Sequence, residues 1–291
     1  MRIATLVTPF LFAIQPAHGI PSPGAGMPHL QYHPRHQGAM GTDTLSIPPY
    51  PIRDANISRQ FTCDSLAYGL LAQDCAHMAS IGMFAQGRND LAENGRLWIG
   101  SDGANTFIFI NAAPSNIPIT LIVWYKPPDD DQASFMNARQ PQISYSLPEK
   151  GSAVEISTSN GVPGGWAALY NRSTTLTAYG QIDNTFGEFN SGRWATTDVS
   201  RLVNMSGNPM TVRVFSRERR GEGLEPLCVS DLQTCAYACN DGAVNSCGEA
   251  GTYKLVNCDG PNAEQSADPD GNPTGGCQGW SYGGHLEVIL S

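Results

Sequence analysis

Beyond Asn94, apolar and polar positions alternate with a period near two in a series of short runs: Thr106 to Ile110, Ile119 to Tyr125, Ile143 to Leu147, Val154 to Ile156, Trp166 to Tyr170, Thr174 to Tyr179, Met210 to Phe215 and, last, His285 to Leu290. Such alternation turns one side of an extended chain toward a core and the other away from it. Gly, Pro, Asn or Asp separates nearly all of the runs, so the pattern predicts an all-β sandwich or barrel rather than alternating βα units. Helical spacing occurs in one place. Between Phe61 and Gln86, the residues Leu66, Leu70, Leu71, Met78, Ile81 and Met83 recur near every third or fourth position, which predicts a short helical segment carrying Cys63 and Cys75.

The residues before that segment cannot build a core. Arg2 precedes an apolar stretch from Ile3 to Ile14, too short to span a bilayer and of the length of a secretory leader. Ala17 and Gly19 supply the small residues wanted before a cut, so residues 1–19 read as a signal peptide and the mature chain is expected to start at or shortly after Ile20. A mature start at His18 is the alternative, and it would present an N-terminal histidine to copper. Residues 20–52 hold Pro21, Pro23, Pro28, Pro34, Pro48, Pro49 and Pro51 and read as an arm or linker. The helical segment then occupies 53–96 and the β region 97–291. No later stretch is apolar and long enough to span a membrane.

Composition narrows the partners. Charged residues make up only 15%, against roughly a quarter in an ordinary soluble domain, which excludes a coiled coil. The net charge of −9 has the wrong sign for neutralising phosphates, so nucleic acid is not an expected partner. An uncharged polysaccharide remains compatible. Secretion also fits eight cysteines and the three sequons at Asn56, Asn171 and Asn204, read as N-glycosylation sites.

Cys228, Cys235, Cys239, Cys247, Cys258 and Cys277 show no paired C-x2-C spacing and no histidine in a ligand position, so disulfides are expected rather than zinc. The spacing leaves the connectivity open among those six. Cys63 and Cys75 are expected to pair locally, and region 228–277 is read as loops held by disulfides where a core is thin. His29, His33 and His36 lie in the Pro-rich arm and are read as solvated. Asp268, Asp270 and Asn272 alternate like calcium-loop ligands, but Pro273 and Gly279 stand where that loop needs Gly and Glu, so a plain turn is expected. Arg217 to Arg220 is a basic loop that resembles a dibasic processing site. No metal or cofactor is expected.

The segment from Asn184 to Phe215 carries the most specific pattern. Asn184 to Phe189 (NTFGEF) leads through a Gly-containing turn to Trp194 to Val203 (WATTDVSRLV), and then to Asn208 to Val212 (NPMTV). This resembles the thaumatin-like (osmotin-type) family, with its T-L-A-E-F element, its D-V-S or D-I-S segment, and its loop ending in P-M before a strand. It is also similar to a related fungal secreted-allergen family. The resemblance covers about thirty residues well and residues 97 to 291 loosely. It implies a β-sandwich with disulfide-rich loops flanking an acidic cleft that binds cell-wall β-glucan, which some members hydrolyse weakly. The family's cleft glutamate maps to Glu188 and its D-V-S aspartate to Asp198. A second family aspartate is replaced here by Ala195, the family arginine has only Arg172 nearby, and eight cysteines stand in place of sixteen.

The residues bear their own reading. Two carboxyl groups suit a retaining glycosidase at about 5–5.5 Å and an inverting one at roughly 6.5–9.5 Å, with one acid held protonated. Alternatively, Asp198 accepts backbone N–H groups to start a turn and Glu188 is solvated on an outward strand face. Trp166, Arg172 and Trp194 are the candidate ligand-binding residues beside the catalytic candidates Glu188 and Asp198, although aromatic rings in such strands also fill cores. The resulting expectation is a secreted glucan-binding protein of the extracellular space or cell wall. A weak endo-β-1,3-glucanase is the first alternative. The second is an effector, allergen or inhibitor acting on a host protein.

Overall fold

The computed structural model describes residues 61–114, 116–125, 139–217, 224–240, 247 and 251–291. The leader, the Pro-rich arm with its histidines, Asn56 and most of the Arg217 to Arg220 loop lie outside these residues. The described chain is all-β apart from one short helix.

The first sheet runs in the order β1 (Leu97–Ile99), β5 (Ala153–Thr158), β2 (Asn105–Asn111), β15 (Gly284–Leu290), β9 (Met210–Ser216) and β10 (Cys228–Ser230). The last strand, β15, lies at its centre, parallel to β2 and antiparallel to β9. Leu286, Val288 and Leu290 are buried and the residues between them half-buried, the signature of a sheet with one face packed. The second sheet orders β12 (Tyr253–Val256), β11 (Ala236–Cys239), β8 (Thr196–Ser200), β7 (Phe186–Asn190), β6 (Pro163–Tyr170), β3 (Ile119–Tyr125) and β4 (Ile143–Leu147). β14 (Pro273–Cys277) meets β8 at Cys277 and Thr197 and forms a hairpin with β13 (Ala263–Ala267).

The two sheets pack as a sandwich. Phe107 and Phe109 of the first sheet meet Trp166 of the second at ring-centre distances of 5.7 and 5.4 Å, and Phe107 meets Phe189 at 4.9 Å. A Cβ at Gly187 would fall 2.1 Å from Trp166 Cε2, so only glycine at that position lets the indole lie flat across β7. The second sheet is also covered on its outer face. Ile122, Trp124, Ala167, Leu169 and Phe186 pack there against Leu70, Cys75, Met78 and Met83, so β3 and β6 are buried almost throughout.

That outer layer corrects the expected extent of the helix. Only α1 (Ala72–Ser80) is helical within the Phe61 to Gln86 span. At Gly69 the chain turns with φ +74°, and a Cβ there would lie 1.9 Å from Tyr145 Cε2. Helical spacing ahead of it therefore belongs to an irregular segment, clamped by the Cys63–Cys75 disulfide and by Gln86, whose amide donates to the carbonyls of Thr62 and Ser65 at 2.9 Å. The same segment closes the edge of the sheet. Asn89 donates to Ser144 O at 2.7 Å and accepts from Ser144 N–H at 2.9 Å, so its side-chain amide takes the place of a neighbouring strand.

Two more expectations need correction. Thr174 to Tyr179 is not a strand: Thr177 Oγ1 accepts the N–H groups of Tyr179 and Gln181 at 3.2 and 3.3 Å, and the chain turns back with a single bridge between Leu176 and Ile182. The cysteine-rich region contains short strands, β10 to β14, rather than loops alone. Its disulfides join Cys228 to Cys277, Cys235 to Cys258 and Cys239 to Cys247, and with the expected Cys63–Cys75 bond all eight cysteines are paired. Leu202, Tyr237, Tyr253 and Leu255 pack among those cystines as a small core of their own. Four disulfides suit an oxidising, extracellular environment. Among the described residues no helix is long and apolar enough to cross a membrane.

Candidate functional site

The β7–β8 hairpin sets Glu188 directly opposite Asp198. Phe189, Ala195 and Val199 of this hairpin lie in the inter-sheet core, and side chains alternate along a strand, so Glu188 and Asp198 project from the opposite, outer face. Phe186, two residues from Glu188, packs under α1 on that same face. Across the ladder, Glu188 faces Gly165 of β6, against which the Trp124 indole lies. On the other side are Tyr237 and Tyr253, with ring centres 6.1 Å apart.

This placement overturns both bland readings of the carboxyl groups. Asp198 sits inside β8 rather than starting a turn, and Glu188 is buried rather than solvated; their exposures are 4% and 6%. Burial raises the Glu188 pKa to about 8, opposed by a hydrogen bond from the Ser200 hydroxyl. Burial, and then the charge of Glu188, raise Asp198. Two buried carboxyl groups side by side cannot both ionise cheaply, so the pair retains a proton near neutrality and titrates as a unit. The hydroxyl of Tyr237 is raised by burial and then by Asp198 and Glu188, and that of Tyr253 to about 12 by burial, Asp268 and Glu188. Asp198 Oδ1 and Thr196 Oγ1 are buried without a hydrogen-bond partner among the described residues.

The pair costs stability, and the cost has a sign. In the folded chain both carboxyl groups bind protons more tightly than in the unfolded chain, so stability should fall as pH rises from the ordinary carboxyl range toward 8, by up to about 1.4 kcal/mol per pH unit for each ionising group. Chemical denaturation at pH 5 and pH 8 should therefore show a loss for the wild type that shrinks in the Glu188→Gln/Asp198→Asn double variant. Equal pH slopes for the two proteins would contradict the pairing.

The other candidates lie elsewhere. Trp166 is fully buried among Phe107, Phe109 and Phe189, with its Nε1–H toward Met210 Sδ at 3.3 Å, so it offers no ring face to a ligand. Arg172 follows β6 by two residues, roughly 20 Å along the chain from Gly165 beside Glu188. Its Nε–H donates to Asp74 at 2.7 Å, and Asp74 also accepts from Ser146 Oγ at 2.5 Å, so the arginine ties α1 to the sheet and is a structural ion pair. Trp194 is exposed in the β7–β8 turn, under the Arg193 guanidinium at 4.7 Å. Ala195 is buried between the sheets, so a carboxylate there would meet the core.

Of the sequons within the described residues, Asn171 is exposed in a turn. Asn204 already uses its amide to donate to Asp183 Oδ1 at 2.9 Å. Asp268 accepts N–H groups from Asp270 and Asn272 in the expected plain turn. Among the described residues no group of three or more His, Cys, Asp or Glu could hold a metal ion. Sequence reasoning missed Asp74, Thr196, Tyr237 and Tyr253, whose roles depend on contacts between distant segments; Ser200 stood within the D-V-S motif.

No family model matches the chain. The phosphatidylinositol transfer protein SFH5 of Chaetomium globosum is 67% identical to it over 33 residues, which are 11% of this chain and 8% of that protein. The chain thus matches less than a tenth of that relative's length, too little to show a family, a fold or an activity.

Proposed function

We propose that this chain is a secreted, thaumatin-related protein that binds cell-wall β-glucan through the face around Glu188 and Asp198. One observation carries the reading: two carboxyl groups stand opposite each other on adjacent strands, buried and jointly raised in pKa. A fold gains no stability from that arrangement, and strongly perturbed carboxyl pairs are concentrated at functional sites. A pair sharing a proton both donates to and accepts from sugar hydroxyls.

The second reading is a weak endo-β-glucanase. Opposite residues on an antiparallel ladder have Cβ atoms about 4.5–5.5 Å apart, which favours the short carboxyl separation of a retaining enzyme over the inverting one. A retaining enzyme must admit the scissile bond between its two carboxyl groups, and this pair is too deeply buried to leave room for it, which favours binding over catalysis. Incubation with insoluble β-glucan, scored for both retention and released reducing sugar, separates the two. The binder is retained and releases nothing. Sugar release that falls 10²- to 10⁴-fold in Glu188→Gln would establish the enzyme instead. A chain that neither binds nor releases sugar acts by protein interaction.

A further inference from the structure

At the far end of the same hairpin, two exposed aromatic residues are held by a built turn that the carboxyl pair does not explain. Trp194 is 46% exposed and Tyr282 61%. The turns that carry them are joined: Tyr282 N–H donates to Gly192 O at 2.9 Å, and Ser281 Oγ donates to Arg193 O at 3.0 Å. Beneath Tyr282 the chain is anchored by Trp280, buried in the inter-sheet core. Tyr282 itself has φ +60°, in the left-handed region where a bulky side chain is strained and glycine is not. A large exposed ring therefore stands where folding alone would favour glycine, and such strain persists where a side chain serves something other than stability. The Arg193 guanidinium lies over the Trp194 ring and adds hydrogen-bond donors at its rim.

We propose that Trp194, Tyr282 and Arg193 form a second carbohydrate subsite, in which the two rings stack on the apolar faces of pyranose units and Arg193 bonds their hydroxyls. This rests on the glucan-binding reading and extends it. Trp194 lies four residues from Asp198, about 13 Å of extended strand, so the subsite takes sugar units beyond those at the carboxyl pair and selects a chain rather than a monosaccharide. Flat, exposed aromatic surface beside a cation suits an uncharged sugar ring, and the protein's net charge of −9 disfavours an anionic one.

Trp194 is also a built-in reporter. Trp98, Trp124, Trp166 and Trp280 are buried, so Trp194 is the tryptophan open to a soluble quencher. Adding a soluble β-1,3-gluco-oligosaccharide should shield fluorescence from acrylamide in the wild type, and Trp194→Ala should bind the oligosaccharide about 2- to 10-fold more weakly. Tyr282→Gly relieves the backbone strain, so it should melt no lower than the wild type and yet bind the oligosaccharide about 2- to 10-fold more weakly. If the oligosaccharide binds and Glu188→Gln weakens it, while quenching is unchanged and both aromatic variants bind like the wild type, the subsite is refuted and the glucan-binding reading stands. If the wild type binds no glucan at all, both fall together.

Discussion

Trp166→Ala is expected to lower stability by about 3–5 kcal/mol, the range for emptying a buried aromatic site. The indole fills the middle of the sandwich, with Phe107, Phe109 and Phe189 within 5.9 Å between ring centres. Gly187 and Met210 are shaped to it, and neither can grow to fill the space it leaves. Domains are stable by only about 5–15 kcal/mol, so the variant should unfold at a much lower denaturant midpoint. Trp166→Phe should recover part of the loss and, on the proposed function, leave glucan retention unchanged. A Trp166→Ala protein with native stability and abolished glucan retention would instead return this ring to the ligand site.

Arg172→Ala is the second large effect. It leaves Asp74, fully buried in the first turn of α1, with Ser146 as its remaining side-chain partner among the described residues, and breaking such a pair costs about 3–5 kcal/mol. Arg172 is 31% exposed, so solvent weakens the pair and the loss should fall near the lower end of that range. Removing the stranded charge as well, in Asp74→Asn/Arg172→Ala, should restore most of the stability. A lysine at 172 should not fully substitute, because it lacks the planar guanidinium that reaches Asp74 through Nε. If the single variant has native stability but no longer retains glucan, Arg172 binds ligand and the structural assignment is wrong.

These two residues mark where the sequence was legible. Alternation was sufficient for β9 and β15, where Val212, Val214, Leu286 and Val288 are buried and Arg213 and Glu287 between them are not, whereas β2, with Ile108 and Ile110 on its other face, was legible as a short apolar run. It could not separate Trp166 from Trp194: Trp166 enters the core from within β6, opposite Gly187, while Trp194 lies in the turn between β7 and β8, and single-strand patterns carry neither register nor turn geometry. Local pairing of Cys63 with Cys75 followed from their spacing, whereas Cys228 and Cys277 are brought together by a β10–β14 contact between distant segments. In the cysteine-rich region β13 and β14 are rich in Gly and polar residues, and the short β11 and β12 pack among cystines, so alternation alone does not reveal these strands. Glu188 and Asp198 were legible as residues of a motif, but their opposition on one face came only from the hairpin register. Asp74 and Tyr282 left no local signal, since one is defined by a partner 98 residues away and the other by a backbone angle.

The carboxyl pair is the centre of the proposed glucan-binding face. Calorimetric titration of a soluble β-glucan oligosaccharide into the wild type and into the Glu188→Gln/Asp198→Asn double variant tests that claim at its source. Losing hydrogen bonds from these groups is worth about 0.5–3 kcal/mol, depending on which is charged, so affinity should drop several-fold to about a hundredfold. The double variant should at the same time be more stable than the wild type at pH 8, so misfolding does not explain the loss. An unchanged affinity in a folded double variant would contradict the account.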